Sequence, residues 1–246
     1  MSVKSKAESG FLARVHFPLS TFHFSLATRM KPILVRLLLF LVVFGVGVGI
    51  AYRMLKPSGE LPVYTPAQLN PLVVDPSLRR STAEHHILDF SLTDQKGRTV
   101  SLADVKGKVI LTDFFFTTCS NICPKMSTQL ERVQAAYKDE PRFVILSHSV
   151  TPEIDTVATL AAYADMHGAD PEHWRFLTGD RRQIYMLARK SWFAVKDTGD
   201  GGPNDFVHTE NLVLADTLGR LRGFYDGTKP EDVDRAIEDI GKLLGD

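Results

Sequence analysis

Residues 108–126 read KVILTDFFFTTCSNICPKM, and this stretch decides the fold. Its first nine residues are almost continuously apolar, which is typical of a strand buried on both faces of a sheet. The helical spacing of the apolar residues that follow predicts a helix over Pro124–Lys138. The only two cysteines of the chain, Cys119 and Cys123, therefore lie where a central strand gives way to a helix. This is the edge at which α/β sheets place their sites.

The rest of residues 81–246 alternates strand and helix patterns in the same way. The expected strands are His86–Leu92, Arg98–Leu102, Lys108–Phe116, Arg142–Ser149, Trp174–Leu177, Phe193–Lys196, Glu210–Ala215 and Leu221–Tyr225. The further expected helices run from Thr151-Pro152 to near His167, over Arg181–Lys190, and from a capping box at Thr228–Glu231 to the C-terminus. This order predicts an α/β fold with a central sheet that carries helices on both faces.

A second apolar stretch, Ile33–Tyr52, predicts one N-terminal transmembrane helix. Twenty residues at about 1.5 Å each are long enough to span a hydrocarbon core of about 30 Å. Its single charge, Arg36, lies near one end, where the side chain reaches the interface. A cleaved signal peptide is the alternative, but the apolar run is long and the residues after it make a poor cleavage site. We therefore expect an uncleaved anchor.

Charge is distributed unevenly around this anchor. The first 36 residues hold six basic residues and one acidic residue, whereas the remainder of the chain has a net charge of about −5. The excess of basic residues before the anchor predicts that the C-terminal domain lies outside the cytoplasm. The expected home is the inner membrane of a bacterium, with the domain in the periplasm. The inner membrane of a mitochondrion, facing the intermembrane space, is the alternative. An acidic domain also argues against a nucleic-acid partner.

The sequence divides into four segments: a basic N-terminal segment (1–32), the anchor (33–52), a linker (53–80) and a folded domain (81–246). Five of the 13 prolines fall in the linker. Such spacing blocks helix formation and predicts a stiff, extended tether that holds the domain off the bilayer surface.

The cysteine pair carries the chemistry. Because Pro124 disfavours helical geometry at the residue before it, we expect Cys119–Cys123 to form a loop that ends at a helix N-terminus. The amide groups and the dipole at such a terminus lower the pKa of a nearby thiol. Two thiolates within reach of each other form a disulfide or bind a soft metal. They are too few for zinc or an iron–sulfur cluster, but Cu(I) accepts two or three soft ligands. A buried inert pair or a simple structural disulfide is the alternative, which a position in a loop disfavours.

His208 is the candidate for a third ligand. It follows the glycine-rich stretch 198–205 and precedes an apolar strand, so in a sheet of this order it can lie beside the cysteine loop. An exposed histidine at the end of a loop is the plain alternative. His148 ends the second long strand and is interpreted as a polar residue at a strand end. Asp113 is interpreted as a hydrogen-bonded structural carboxylate, with tuning of the thiols as the alternative. The other histidines of this domain, expected to be solvated, are His85, His86, His167 and His173.

These motifs resemble those of the Sco/SenC family of membrane-anchored copper proteins. The run FSLTDQKGRTVSLADVKGKVILTDFFFTTCSNICPKM is similar to the cysteine-bearing block of the family. SVTPEIDTVATLAAYADMHG followed by WRFLTG resembles its next block, and FVHTENLVLADTLGRLRGFYDG its histidine-bearing block. The resemblance covers residues 85–246. Its specific element is C-x3-C-P with a downstream histidine, because ordinary thioredoxin-like reductases use C-x2-C.

The resemblance implies a thioredoxin-like fold in which Cys119, Cys123 and His208 bind Cu(I) or Cu(II). It also implies delivery of copper to the dicopper site of cytochrome c oxidase, or reduction of the thiols of that site. The implied partners are the copper-bearing subunit of the oxidase and other copper carriers or thioredoxin-like reductants. We therefore expect a copper metallochaperone. The alternative is an anchored thiol–disulfide reductase that uses the same cysteines without metal and does not need His208. A peroxiredoxin is disfavoured, because Phe116 stands where that chemistry uses Thr or Ser.

Overall fold

The computed structural model describes residues 31–55, 60–195 and 206–245. The chain divides into two compact units at Pro57 and Ser58. The first unit contains helix α1 (Pro32–Leu55), whose side chains up to residue 54 are exposed. By length and composition α1 is able to cross a membrane.

The second unit is built on a seven-stranded sheet. Its strands are β1 (Ser91–Asp94), β2 (Thr99–Ser101), β3 (Val109–Phe115), β4 (Phe143–Ser149), β5 (Trp174–Thr178), β6 (Asn211–Ala215) and β7 (Leu221–Asp226). They lie in the order β2-β1-β5-β4-β3-β6-β7. Strand β4 pairs in parallel with both β3 and β5, and the remaining pairs are antiparallel.

Helices cover both faces of this sheet, as the sequence predicts. They are α2 (Ile122–Ala136), α3 (Val157–Met166), α4 (Arg181–Met186), which continues as a π-helical turn over Leu187–Ser191, and α5 (Pro230–Gly245). The buried side chains of α2, α3 and α5 form one core on one face, and those of α4 belong to a second core on the other. Along β3, Leu111 and Phe115 face the first core, whereas Ile110 and Phe114 face the second. This alternation is the two-residue period of a strand with both faces covered.

Residues 61–80 pack on the domain, in contrast to the extended tether expected there. The guanidinium of Arg222 donates a hydrogen bond to the carbonyl of Leu61 at 2.6 Å. Val74 is fully buried in the core that contains α4. Apolar side chains between the prolines provide this packing, so the folded unit begins upstream of residue 81.

Helix α3 begins later than the sequence signals indicate. The expected start at Thr151 is wrong, because the helix begins at Val157 with Thr156 as its N-cap. The hydroxyl of Thr156 accepts a hydrogen bond from the amide of Thr159 at 3.3 Å. The preceding residues instead form a tight turn around the buried carboxylate of Asp155.

The expected strand Phe193–Lys196 is also wrong for the three residues that the structure describes. Phe193 has a positive φ of 48°, which breaks an extended chain. The amide of Ala194 donates to the carbonyl of Ala188 at 2.9 Å and closes a turn after the π-helical segment. Lys196 lies outside the described residues.

The expected strand His86–Leu92 forms only from Ser91 onward. Upstream of it, His86 makes one isolated bridge with Arg220. Strand β1, which lies between β2 and β5, therefore begins later than the sequence pattern indicates.

Two hairpin turns at opposite ends of the strand order share one construction. They are Asp94–Arg98 (DQKGR), between β1 and β2, and Asp216–Arg220 (DTLGR), between β6 and β7. In each turn the carboxylate of the aspartate accepts hydrogen bonds from the backbone amide and the Nε of the arginine. The glycine of each turn has a φ of +75° or +77°, which favours glycine.

Candidate functional site

The strand order brings the cysteine segment and the histidine segment to one edge of the sheet. Strands β3 and β6 are antiparallel neighbours, with Thr112 opposite Val213. The chain that leaves β3 therefore emerges at the edge where the chain enters β6. At this edge the rings of Phe116 and Phe206 are 5.2 Å apart and nearly perpendicular.

Cys123 lies inside helix α2, which begins at Ile122. The expectation that both cysteines belong to a loop and that Pro124 begins the helix is therefore wrong. Pro124 is the third helical residue, where the first amide groups of a helix have no intrahelical acceptor, so its missing N–H removes no hydrogen bond. Cys119 precedes the helix, and its Sγ accepts a hydrogen bond from the backbone amide of Cys123 at 3.4 Å.

The Cys119 thiol, which is half-buried, is the more acidic of the two. Burial acts to raise its pKa, but hydrogen bonds to the sulfur outweigh this effect. They come from the backbone amide of Asn121, the Cys123 thiol, and the amides of Cys123 and Ile122. The pKa of Cys119 therefore lies below its ordinary value, which is the direction expected for a thiol beside a helix N-terminus.

The Cys123 thiol has the opposite character. Burial raises its pKa to about 12, and the hydrogen bond that it donates to Cys119 acts in the same direction. One backbone amide, that of Phe116, opposes the shift. The expected thiolate character is therefore not found at Cys123, which remains a protonated donor to its neighbour at neutral pH.

Asp113 lies in the core that also contains Cys123 and is part of a buried hydrogen-bond chain. The indole of Trp174 donates to the hydroxyl of Ser147 at 2.8 Å, and this hydroxyl donates to the Asp113 carboxyl at 2.5 Å. Burial raises the pKa of Asp113 to about 7. The interpretation of Asp113 as a hydrogen-bonded structural residue is confirmed, and a negative charge there would also raise the pKa of Cys123.

His148 lies on the opposite face of the sheet from Asp113. The hydroxyl of Thr112 donates to the carbonyl of Leu146 at 2.7 Å, so it accepts from Nδ1 of His148 at 3.0 Å. The imidazole stacks on Phe114 with ring centroids 4.9 Å apart. Burial lowers the pKa of His148 to about 4, so the residue is a neutral core histidine away from the thiols.

A second buried carboxylate, Asp155, holds the start of the segment that joins β3 to α2 (residues 116–121), which is called the cysteine loop below. It is fully buried and accepts hydrogen bonds from the backbone amide and the hydroxyl of Thr117. It also accepts from the hydroxyls of Ser149 and Thr151. Sequence reasoning missed this residue, because an aspartate four positions after Thr151 looks like an ordinary acid in the first turn of a helix.

His208 is exposed between two buried neighbours, Val207 and Thr209. The hydroxyl of Thr209 donates to the carbonyl of Ala194 at 2.8 Å, which fixes the backbone beside the histidine. His208 lines a cavity of about 400 Å³ together with Phe206 and other residues. Within the three described ranges of the chain, no group of three His, Cys, Asp or Glu side chains is close enough to hold a metal ion. The expected glycine-rich approach to His208 lies outside the described residues.

Three of the four histidines expected to be solvated are in fact paired and partly buried. His85 is half-buried and hydrogen-bonded to the carbonyl of Ser191 at 2.8 Å. Two other histidines lie against carboxylates, namely His167 against Glu131 at 2.7 Å and His173 against Asp170 at 3.1 Å. His86 is exposed as expected.

The donor set at this edge of the sheet suits a soft monovalent metal. Cys119 and Cys123 supply two sulfur atoms next to each other, and the segment that carries His208 contacts the cysteine segment through its phenylalanine. Thiolate and imidazole ligands in low number fit Cu(I), whereas zinc requires a fuller set.

Comparison with known proteins identifies the relatives of this site. The sequence model of the SCO1/SenC family matches residues 79–245. The chain belongs to the SCO1/SenC family. The SCO1 protein homolog of Bacillus subtilis is 32% identical over 158 residues, which are 63% of this chain and 81% of that protein.

Solved structures of Sco proteins share the fold. BsSco is described as a member of the Sco family of cytochrome c oxidase assembly proteins with a disulfide switch. It is 31% identical with a TM-score of 0.56, over 65% of this chain and 94% of that chain. ScoI of Bradyrhizobium japonicum, solved with copper bound, is 29% identical with a TM-score of 0.52, over 64% and 99% of the two chains. The thioredoxin-like fold that the resemblance implies is therefore confirmed.

Proposed function

We propose that this member of the SCO1/SenC family is a membrane-anchored copper metallochaperone. In this proposal Cys119 and Cys123 hold Cu(I) through their sulfur atoms, and His208 is the third ligand. Copper is the cargo of the protein, handed on to the copper-bearing subunit of cytochrome c oxidase for its dicopper site. Other copper carriers or thioredoxin-like reductants supply the metal or keep the thiols reduced.

The observation that carries this proposal is the juxtaposition of the two thiols at the edge of the sheet. Cys123 donates its thiol hydrogen to Cys119, and the amide of Cys123 donates to the same sulfur. The pKa of Cys119 is lowered in this setting, so its proton is the easier of the two for a soft cation to displace, and displacing the proton of Cys123 as well gives a two-sulfur site. The copper-bound structure of a relative with the same fold supports this assignment.

Among the described residues the two cysteines and His208 do not lie close enough together to hold one metal ion, so in this proposal His208 reaches the cysteines by moving. Its flanking residues Val207 and Thr209 are buried, but its own side chain is exposed at the edge where the cysteine segment emerges. A ligand that closes over the metal after the thiols have bound it, and opens again to release it, suits a carrier. We propose this order of events for loading and transfer.

Metal analysis of the full-length chain in detergent, kept reduced, tests the proposal. About one Cu(I) per chain is expected, because the chain has a single pair of thiols. Cys119→Ala and Cys123→Ala should each abolish tight binding, since one thiolate with one imidazole is a much weaker chelate for a soft metal. The matched control is Ser120→Ala, an exposed position inside the same loop, which should retain the copper. Full Cu(I) retention in either cysteine variant would overturn the metallochaperone proposal.

The second candidate function is thiol–disulfide exchange on the cysteines of the oxidase. The observation that favours it is the difference in acidity between the two thiols: the pKa of Cys119 is lowered, and that of Cys123 is raised to about 12. A half-buried acidic thiol is suited to attack a disulfide, and a buried protonated neighbour is suited to resolve the mixed disulfide later. This function requires both sulfurs but not His208, which separates the two candidates.

A further inference from the structure

Asp155 is a buried carboxylate held entirely by uncharged donors. Its side chain is fully buried, and its two oxygens accept four hydrogen bonds. The donors are the amide of Thr117 at 3.2 Å and the hydroxyls of Thr117, Ser149 and Thr151 at 2.5, 2.6 and 3.1 Å. A carboxylate in this environment is stable only while these hydrogen bonds are made.

The three donor residues belong to different parts of the fold. Ser149 is the last residue of β4, and Thr151 lies in the turn that leads to α3. Thr117 belongs to the segment between β3 and α2, two residues before Cys119. Asp155 therefore fastens the start of the cysteine loop to the neighbouring parallel strand.

The position of Thr117 bears directly on both sulfur atoms. The residue before it, Phe116, donates its amide to the sulfur of Cys123 and accepts a hydrogen bond from the amide of Cys119 at 3.2 Å. Because Asp155 binds Thr117 through both its backbone and its side chain, it limits the rotation of the peptide that joins Phe116 to Thr117.

We propose that Asp155, acting through Thr117, is a positioning residue that holds the cysteine loop in the geometry of the reduced, copper-ready pair. Both cysteines are free thiols in the structure, so these hydrogen bonds belong to the dithiol form. The disulfide form has a covalent bond to hold the loop and depends less on Asp155. Loosening this contact therefore disfavours the dithiol and its copper complex relative to the disulfide. This inference rests on the proposed function of Cys119 and Cys123.

Two isosteric variants separate positioning from plain stability. Thr117→Val and Thr151→Val each remove one hydroxyl that donates to the same carboxylate, but only Thr117 lies in the cysteine loop. The full-length chain in detergent is equilibrated with glutathione and its disulfide. In this exchange two glutathione thiols give two electrons and two protons to the Cys119–Cys123 disulfide, yielding the dithiol and one glutathione disulfide. Cu(I) affinity is measured by competition, and the free energy of unfolding by chemical denaturation.

We expect Thr117→Val to shift the exchange equilibrium toward the protein disulfide by about threefold to tenfold and to weaken Cu(I) binding over the same range. Thr151→Val should stay within about twofold of the wild type in both measurements, while losing a similar free energy of unfolding. Thr117→Ser, which keeps the hydroxyl, should restore the wild-type equilibrium. Asp155→Asn is a second variant of the same contact, since its amide nitrogen accepts no hydrogen bond, and it should shift the equilibrium in the same direction.

Equal exchange equilibria in Thr117→Val and Thr151→Val would overturn the inference, as would a Thr117→Ser variant that behaves like Thr117→Val. A different result would show that the metallochaperone proposal, and not the positioning role, is wrong. If the wild type binds no Cu(I) while Thr117→Val still shifts the exchange equilibrium, the positioning role stands and the metallochaperone proposal falls.

Discussion

Two chemically identical thiols ionise differently at this site because their surroundings differ within a single helical turn. Cys119 precedes α2 and receives the free amide groups of its first turn, whereas Cys123 lies within that turn and is buried against the core. The proton of Cys119 is therefore lost more readily than that of Cys123, which burial holds in place. A bound Cu(I) ion or an exchanging disulfide has to remove the second proton, so both candidate reactions should be favoured by rising pH.

The histidine separates the two candidate functions. We expect His208→Ala to weaken Cu(I) binding by at least about tenfold, since the loss of groups that only support metal ligands already costs 10- to 100-fold. The Cys119–Cys123 disulfide should still form and be reduced, because a dithiol needs only its two sulfurs and access. The measurements are a Cu(I) competition titration and the oxidase activity of cells that carry the variant.

The matched control for this variant is His86→Ala, which removes another exposed imidazole. His86 hydrogen-bonds to the carbonyl of Leu218 at the opposite end of the sheet and should bind copper like the wild type. Equal Cu(I) affinities in all three proteins, together with normal oxidase activity in the His208→Ala cells, would favour the reductase over the metallochaperone.

Two buried titratable residues impose opposite pH dependences on the stability of the domain. The pKa of Asp113 is about 7 in the fold, above its ordinary value, so the folded state binds more protons there than the unfolded state. Its contribution is fully present below about pH 4 and is lost as the pH rises toward 7. The pKa of His148 is about 4 in the fold, below its ordinary value. Its contribution is fully present above about pH 6.5 and is lost as the pH falls toward 4.

Variants at these two sites should therefore change the pH profile in opposite directions. Relative to the wild type, Asp113→Asn should gain free energy of unfolding as the pH rises from 4 to 7, by up to about 4 kcal/mol. His148→Leu should instead lose free energy relative to the wild type over the same rise, by up to about 3 kcal/mol. Denaturant titrations of the reduced protein at several pH values measure both differences. Parallel profiles for the wild type and Asp113→Asn would show that Asp113 is ionised in the fold.

At the scale of secondary-structure elements, the two DxxGR turns offer a test in which backbone strain is held constant. Gly97 and Gly219 have nearly the same positive φ, so an alanine at either position costs about 1–2 kcal/mol in backbone strain. A Cβ at Gly97 would lie 3.9 Å from the side chain of Val157, which is an ordinary van der Waals distance. A Cβ at Gly219 would lie only 3.1 Å from the side chain of Ile87. We therefore expect Gly219→Ala to lower the free energy of unfolding more than Gly97→Ala.

Denaturant unfolding of the two alanine variants measures this difference. Gly97→Ala serves as the control for strain alone. Equal losses of free energy of unfolding in the two variants would contradict this expectation. They would mean that the side chain of Ile87 moves away from the new methyl group at no cost.

The elements that the sequence predicts best are those whose pattern is set by burial on both faces. Strands β3 and β4 are buried at every position and mostly apolar, and their bounds agree with the expectation to within one residue at each end. The start of α3 is not predictable in this way, because Thr151-Pro152 and Thr156 are both good N-terminal signals. The choice between them is made by the hydrogen bonds of Asp155, which join residues distant in sequence.

The same distinction applies to the site. The spacing of Cys119 and Cys123 is readable from the sequence, and the strand order explains why the segment of His208 lies at the same edge. The opposite shifts of the two thiol pKa values are not readable, since they depend on which sulfur the core buries. The contact from Asp155 to the cysteine loop is hidden for a similar reason, because its donors come from three separate segments.

At the scale of the whole molecule, the proline-rich segment shows how composition misleads. Its prolines predict an extended tether, but residues between them, such as Tyr64, Leu69 and Val73, pack against the core that contains α4. The compact unit that begins at Ser58 therefore includes most of the predicted linker. The apolar residues between the prolines were the feature of the sequence that indicated packing on the domain.

Helix α1 and the charges that flank it predict on which side of a membrane the domain would lie. The 24 residues of α1 extend about 36 Å, enough to cross a hydrocarbon core of about 30 Å with some tilt. Six basic residues lie in the first 36 positions, against Arg53 and Lys56 at the far end. We propose that the N-terminus stays in the cytoplasm or mitochondrial matrix and the domain faces the periplasm or intermembrane space.

A reporter that is active only after export, fused behind Asp246, should be active, and the same reporter fused before Met1 should be silent. Replacing Lys31 and Arg36 with Gln should weaken this contrast, since it removes basic residues from the retained side. Activity of a cytosol-restricted reporter behind Asp246 would contradict the orientation.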